Sequence, residues 1–442
     1  MATRNDLAEK YSGRPYTIIS SDGHAGANLL DYRPYLESRY HERFDAWAAS
    51  YVDAWGEISR TVDEDNPEQD SPFRYGVFSY DQAVNWDSRA RLEFMEGQGI
   101  VGEVLFPNTV PPFNPSGALT APGPRSAEEY ELRWAGLRAH NRWMAEFCGE
   151  APGRRAGMIQ VYLDNVEDTV EEIRAGHAAG LAGVLLPGDN VLKLQGYYRK
   201  AYEPVWAACA ELGLPVHTHQ VWPNEGIQEG SGAMWVGIME SEWFSQRPLA
   251  HVVCSGVLER HPDLKFVVTE ASGGRWVGKQ AAMLDYMYAD ALTTDRYPTF
   301  TAAVAGEAAR ALSKRPSEYI ASNVYIGNPV DYAGALRAGT QNVMFGADLP
   351  HSEGSSPFTR EALQVTMSHL PEDEVRILTG ITAAECYGLD LDALQQVADR
   401  VGPTPAEVAT PPDWSTMPRY PDDTLCVYFM RSGAPAATPA MG

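Results

Sequence analysis

The chain has 442 residues, 44% of them hydrophobic and 21% charged, the balance of a soluble globular protein and not of a collagenous, coiled-coil or disordered one. Lys and Arg number 35 against 59 Asp and Glu, a net charge of -24 that repels nucleic-acid phosphate and anionic lipid and excludes both as partners. The five cysteines are widely spaced and form no Cys-x-x-Cys, so neither a disulfide framework nor a thiolate zinc site is indicated. No signal-like or membrane-spanning apolar run occurs, and a cytoplasmic location is expected.

From about residue 16 to 390, short β-branched or apolar runs alternate with amphipathic stretches. In chain order the runs are Thr17 to Asp22, Val101 to Phe106, Ala156 to Val161, Gly183 to Leu186, Leu214 to Thr218, Lys265 to Glu270, Asn323 to Ile326 and Val343 to Ala347. Helical patterns lie between them, among them Glu167 to Ala179 and Tyr198 to Leu212, the latter ended by Gly213. Eight strand-helix units predict an α/β fold, a (β/α)8 TIM barrel spanning 1–399, with insertions at its C-terminal face.

Three insertions are expected, at about 48–93, 108–125 and 220–246. The first opens acidic and ends in an amphipathic helix near Trp86 to Met95; the second is Pro-rich and reads as an irregular lid. The third carries Trp222, Trp235, Trp243 and Phe244, which either pack an added helix or wall a bulky apolar substrate. Residues 400–442 read as a Pro-rich tail, disordered or extended along the barrel or a second subunit.

Barrel enzymes place their chemistry at the C-terminal ends of strands, so donors at those ends are the candidates. The first run ends Asp22-Gly23-His24, where alternation points Asp22 and His24 the same way. The fifth ends His217-Thr218-His219, the sixth ends in Glu270, and the eighth runs into Asp348-Leu349-Pro350-His351. Glu270 is a ligand or a cap on the following helix, and Glu103 on the second strand is a ligand or an ion-pair partner inside the barrel. His219 and His351 are candidates for touching substrate or assisting catalysis, and His219 is also a possible ligand. Arg275 binds an anion or forms a surface ion pair. No Walker loop, Gly-x-Gly-x-x-Gly or Gly-x-Ser-x-Gly is present.

Ser21-Asp22-Gly23-His24, Gly102 to Pro107, Pro215-Val216-His217, Asp263 to Val267, Gly346 to His351 and Ala383 to Leu389 together resemble the amidohydrolase superfamily. The branch they resemble is family 2, related to aminocarboxymuconate-semialdehyde decarboxylase. The resemblance implies metal ligation by His24, His217 and Asp348, with Asp22 standing where the family has its first His and Glu270 where it has a catalytic His. Asp22, Glu270 and Asp348 bring three negative charges, and Glu103 a fourth if it points inward, matching two divalent ions.

That donor set is hard and oxygen-rich, favouring iron or manganese over zinc. The resemblance extends to members that oxygenate unactivated C–H bonds at a dinuclear centre. The expected function is therefore a dinuclear non-heme iron (diiron or Mn/Fe) monooxygenase using O2 on a hydrophobic substrate. Metal ligands would be Asp22, His24, Glu103, His217, Glu270 and Asp348; catalytic residues Asp348, His219 and His351; substrate contacts Asn108, Trp222 and Arg275. The alternative is a zinc or manganese hydrolase or decarboxylase acting on a small carboxylate or amide, and a third reading is an inactive barrel supporting a paralogue. A homodimer is expected.

Overall fold

A computed structural model describes residues 2–51, 83–108, 110–115, 124–188, 196–220, 233–271, 275–294, 297–328, 341–351 and 354–411, together with Asp413 and Ser415. Each of the eight predicted runs forms a strand. They are β1 (Ile18–Ser20), β3 (Ile100–Pro107), β4 (Arg155–Gln160), β5 (Gly183–Leu185), β6 (Val216–Thr218), β7 (Phe266–Thr269), β8 (Val324–Gly327) and β9 (Val343–Met344). The sequence did not separate one further short strand, β2 (His24–Ala25), which pairs with β3. The sheet order is β1-β3-β4-β5-β6-β7-β8-β9, and the paired strands run parallel with helices between most of them, the succession of a (β/α)8 barrel. The chain forms two compact units.

The first unit comprises Met1–Met158, Ala179–Ala182 and Met344–Gly442. Its apolar strands are fully buried through Ile18, Ile19, Val101, Val104 and Leu105. The amphipathic helix expected near Trp86 to Met95 forms at Ser88–Gly97, where Asp87 accepts a hydrogen bond from the Ala90 amide at 2.8 Å. Ser126 caps the 23-residue helix Ala127–Gly149 in the same way.

The described part of the predicted lid has no regular structure but is anchored. Phe113 is buried against Tyr40, Phe44 and Trp47, and Pro112 lies so close to helix Ala127–Gly149 that a Cβ at Gly136 would sit 1.8 Å from its carbonyl oxygen. The expected tail begins at residue 400, close to the end of helix Leu391–Val401, and a further helix, Pro405–Ala409, begins with Thr404 as its cap and proline in its first turn. Residues 416–442 lie outside the described residues.

The second unit comprises Ile159–Ala178 and Gly183–Val343. Strands β5 to β8 run in parallel register, pairing Leu185 with His217, His217 with Val267 and Val267 with Tyr325. The two predicted helices appear at Val166–Ala178 and Glu203–Leu212, the latter ended by Gly213 at φ +68°, a left-handed turn that favours glycine. Helix Ala233–Cys254 begins within the third insertion. Trp243 on it is 60% exposed, so this aromatic does not pack the helix down; Trp222 and the Trp235 side chain lie outside the described residues.

Among the described residues Cys148, Cys209, Cys254 and Cys386 form no disulfide, and no helix is long and apolar enough to cross a membrane.

Candidate metal centre

In the first unit the ends of β1, β2 and β9 converge. The chain breaks strand geometry at Ser21-Asp22-Gly23 because its amides and carbonyls turn to the β9 segment. Ser21 N–H donates to the Phe345 carbonyl at 2.7 Å, Asp348 N–H to the Asp22 carbonyl at 2.9 Å and His24 N–H to the Leu349 carbonyl at 2.6 Å. Ser20 ties the two segments further, its hydroxyl donating to the Asp22 carbonyl and accepting from the Ala347 amide at 2.8 Å. Asp348 itself sits at φ +52°, a left-handed conformation that aspartate tolerates better than most side chains.

This backbone brings together four side chains. His24 Nε2 lies 3.4 Å from Asp22 Oδ1 and 3.2 Å from Asp348 Oδ1, while His351 Nδ1 lies 3.0 Å from Asp348 Oδ1. The His24 and His351 rings stack with centroids 4.1 Å apart. Asp22, His24 and Asp348 are all buried.

Hydrogen bonds behind the rings fix where their lone pairs point. His24 Nδ1–H donates to the Pro107 carbonyl at 3.2 Å, which leaves the Nε2 lone pair facing the two carboxylates. Asn108 Nδ2 donates to Asn85 Oδ1, so its own Oδ1 is turned to accept from His351 Nε2–H at 3.0 Å. With Nε2 engaged by Asn108, the other ring nitrogen of His351, Nδ1, faces Asp348. Asn108, expected to touch substrate, is thus also the group that orients His351.

Two imine lone pairs and two carboxylates converging in a buried space are stable only with positive charge among them. The charges around these groups make the same demand. Burial opposes a charge on His24, yet Asp22 and Asp348 outweigh it and hold its pKa well above the ordinary value. Burial and Asp22 act to raise Asp348, but His351 and His24 hold its carboxyl below the usual range.

A divalent cation supplies that charge equally well. Donors at about 2.0–2.1 Å from one ion are about 2.9 Å apart in octahedral and about 3.4 Å apart in tetrahedral coordination. The separations of 3.0, 3.2 and 3.4 Å lie in that window, so the residues fit a metal ion. His24, Asp348 and His351 each offer an atom within 4.8 Å of the others.

Glu103 takes its pairing role. Arg91 Nη2 lies 2.7 Å from its Oε2 and Arg155 Nε 3.4 Å from its Oε1, all three side chains being buried. Two guanidinium groups already offset its charge, so the expected fourth charge for a second ion is removed from the count.

In the second unit His217 is fully buried, and His219, two residues on along the same face, has Nδ1 3.7 Å from Glu270 Oε2. Glu270 leaves β7 at φ +54° and Asn328 leaves β8 at φ +46°. Nothing in the sequence marks Asn328 beyond its place after a strand. Arg275 opens helix Arg275–Ala291, and its side chain, like all of Trp222, lies outside the described residues.

A family model described as amidohydrolase matches residues 52–389, and the chain belongs to that family. A gamma-resorcylate decarboxylase from Rhodococcus jostii RHA1 is 23% identical over 252 residues, 53% of this chain and 71% of the relative. Among solved structures, an amidohydrolase from Mycobacterium avium subsp. paratuberculosis K-10 superposes with TM-score 0.58 at 20% identity, covering 84% of this chain and 99% of its own. The 5-carboxyvanillate decarboxylase of Novosphingobium aromaticivorans, with bound manganese and a nitrobenzoic acid, gives TM-score 0.57 at 16% identity over 85% and 96% of the two chains. At these identities the structural likeness establishes the fold.

Proposed function

We propose that this enzyme of the amidohydrolase family is a metal-dependent decarboxylase of a small aromatic acid, a narrower form of the alternative expected from the sequence, a hydrolase or decarboxylase of a small carboxylate or amide. The observation that carries it is the buried convergence of Asp22, His24, Asp348 and His351, whose lone pairs call for a cation. The named activities of the relatives, gamma-resorcylate and 5-carboxyvanillate decarboxylation, supply the substrate class.

Asp22, His24 and Asp348 would hold a divalent ion, manganese or zinc. When bound, the ion supplies the positive charge that anchors a carboxylate and an adjacent oxygen of the acid. His351, oriented by Asn108, is suited to move a proton at Nδ1. Loss of CO2 leaves the bond's electron pair on the ring carbon, which must take up one proton. His219 and Glu270 form a second such pair at the ends of β6 and β7.

One observation favours a second reading, a dinuclear iron or Mn/Fe monooxygenase: Asp22 places a carboxylate where the resembled family has its first His, making the donor set harder. The exposed Met283, Tyr286, Phe300 and Val304 support the expected homodimer.

The test is elemental analysis of protein made with iron, manganese and zinc all available, with CO2 release from hydroxybenzoic acids and O2 uptake followed in parallel. About one manganese or zinc per chain with CO2 release is the expected result. Two iron-containing equivalents with O2 uptake would replace it by the oxygenase, and metal-free active protein would refute both.

A further inference from the structure

Helix Ser88–Gly97 begins within the first insertion and delivers a guanidinium beneath the ligand cluster. Arg91 is fully buried. Its Nε donates to Glu103 Oε1 at 3.2 Å and Oε2 at 3.0 Å; Nη1 donates to the His24 carbonyl at 2.8 Å and the Val84 carbonyl at 3.3 Å. Its Nη2 donates to Glu103 Oε2 at 2.7 Å and the Leu349 carbonyl at 3.1 Å. All the N–H donors of the fork are used.

Two of those acceptors are the backbone of His24 and of the residue beside Asp348. One planar group therefore spans the segments that carry the donors. Gly23 leaves room for this packing, since a Cβ there would lie 3.2 Å from both Arg91 Nη2 and the Val104 carbonyl and 3.4 Å from Glu103 Oε2. Behind the fork, Arg155 pairs with Glu103 and is itself held by the Ser88 hydroxyl at 2.9 Å and the Phe147 carbonyl at 2.8 Å.

We infer that Arg91 is a positioning residue for the metal centre, locking the His24 and Asp348 segments in the register their donors need while Glu103 and Arg155 hold the guanidinium in place. The inference rests on the metal reading proposed above. Lysine keeps the charge but offers its donors from a single atom and cannot span acceptors arrayed around a fork. Outer-shell changes of this kind weaken metal binding by about 10–100-fold.

The experiment is titration of the whole metal-free protein with Mn2+ alone, by calorimetry and electron paramagnetic resonance, on wild type, Arg91→Lys and Gly23→Ala, with near-ultraviolet circular dichroism to report folding. The expected result is a folded Arg91→Lys that binds Mn2+ about 10–100-fold more weakly with an altered spectrum. Gly23→Ala, which pushes on the fork without removing it, should show a loss of the same kind. A folded Arg91→Lys with wild-type affinity and spectrum, even at lowered melting temperature, would make Arg91 merely structural and overturn the inference. If Arg91→Lys does not fold, wild-type affinity in Gly23→Ala overturns it. Wild-type protein that binds no Mn2+ would refute the metal reading instead, a pattern distinct from a loss confined to the variants.

Discussion

Replacing Glu103 by Gln separates a ligand from an ion-pair partner. Glu103 lies 2.7 Å from Arg91 and 3.4 Å from Arg155, and none of the three side chains reaches solvent. Glutamine keeps the shape of the side chain and removes the charge, leaving two buried guanidinium groups without their carboxylate. Breaking a buried ion pair from one side costs about 3–5 kcal/mol, because the charge left behind is uncompensated. Arg91 retains its bonds to the His24, Val84 and Leu349 carbonyls, which places the expected loss at the lower end, about 3 kcal/mol. Urea unfolding should show a lower midpoint, while elemental analysis at saturating metal should show the wild-type number of ions per chain. The reverse pattern, one ion lost with the midpoint unmoved, would establish Glu103 as a ligand and refute the pairing argument.

Asp348→Asn keeps a residue that tolerates the left-handed backbone but removes a donor charge, so Mn2+ affinity should fall by more than the about 10–100-fold expected for changes behind the ligands; calorimetric titration checks this. His140 is buried with the Tyr32 hydroxyl 2.7 Å from its Nδ1, and burial pushes its pKa down to about 3. Its folded value lies below the unfolded value of about 6.5, so its stabilising effect is full above that pH and is lost as pH falls towards 3. Wild type should therefore lose about 2 kcal/mol more than His140→Leu between pH 7 and pH 5 in paired urea titrations, and equal losses would sink the assignment. Gly136→Ala sets a Cβ 1.8 Å from the Pro112 carbonyl and should lower stability by about 1–3 kcal/mol, read by thermal unfolding.

Strand positions were legible because the barrel strands are apolar and separated by helical periodicity, and all eight runs recur within a few residues. The candidate cluster was legible for a related reason: polar groups at the ends of apolar strands stand out, and Asp22, His24, Asp348 and His351 lie together. What the sequence hid depends on contacts between segments far apart in the chain. Ser20 reaching Ala347, Asn108 orienting His351 and Arg91 engaging Glu103 have no periodic or motif signal. The pairing of Glu103 was hidden for the same reason, since its two arginines come from a helix twelve residues before it and from the next strand. Within the first insertion the sequence located a helix correctly but not its purpose, because a buried arginine on an amphipathic face reads as a solvated one.

Three left-handed residues that carry side chains follow barrel strands: Glu270 at φ +54° and Asn328 at φ +46° directly after β7 and β8, and Asp348 at φ +52° four residues beyond β9. Asn, Asp and His are the side chains most often found in that conformation, whereas a β-branched residue there is a true outlier. Any redesign of donor hardness therefore starts from a restricted alphabet. At position 348 an imidazole could replace the carboxylate without opposing the main chain, but Thr or Val could not. Glu270, outside the favoured group, is held where the fold alone would select Asn or Gly, so its replacement by Asn should stabilise the empty fold. The order in which substitutions become available is thus set by torsion angles before any metal has been chosen.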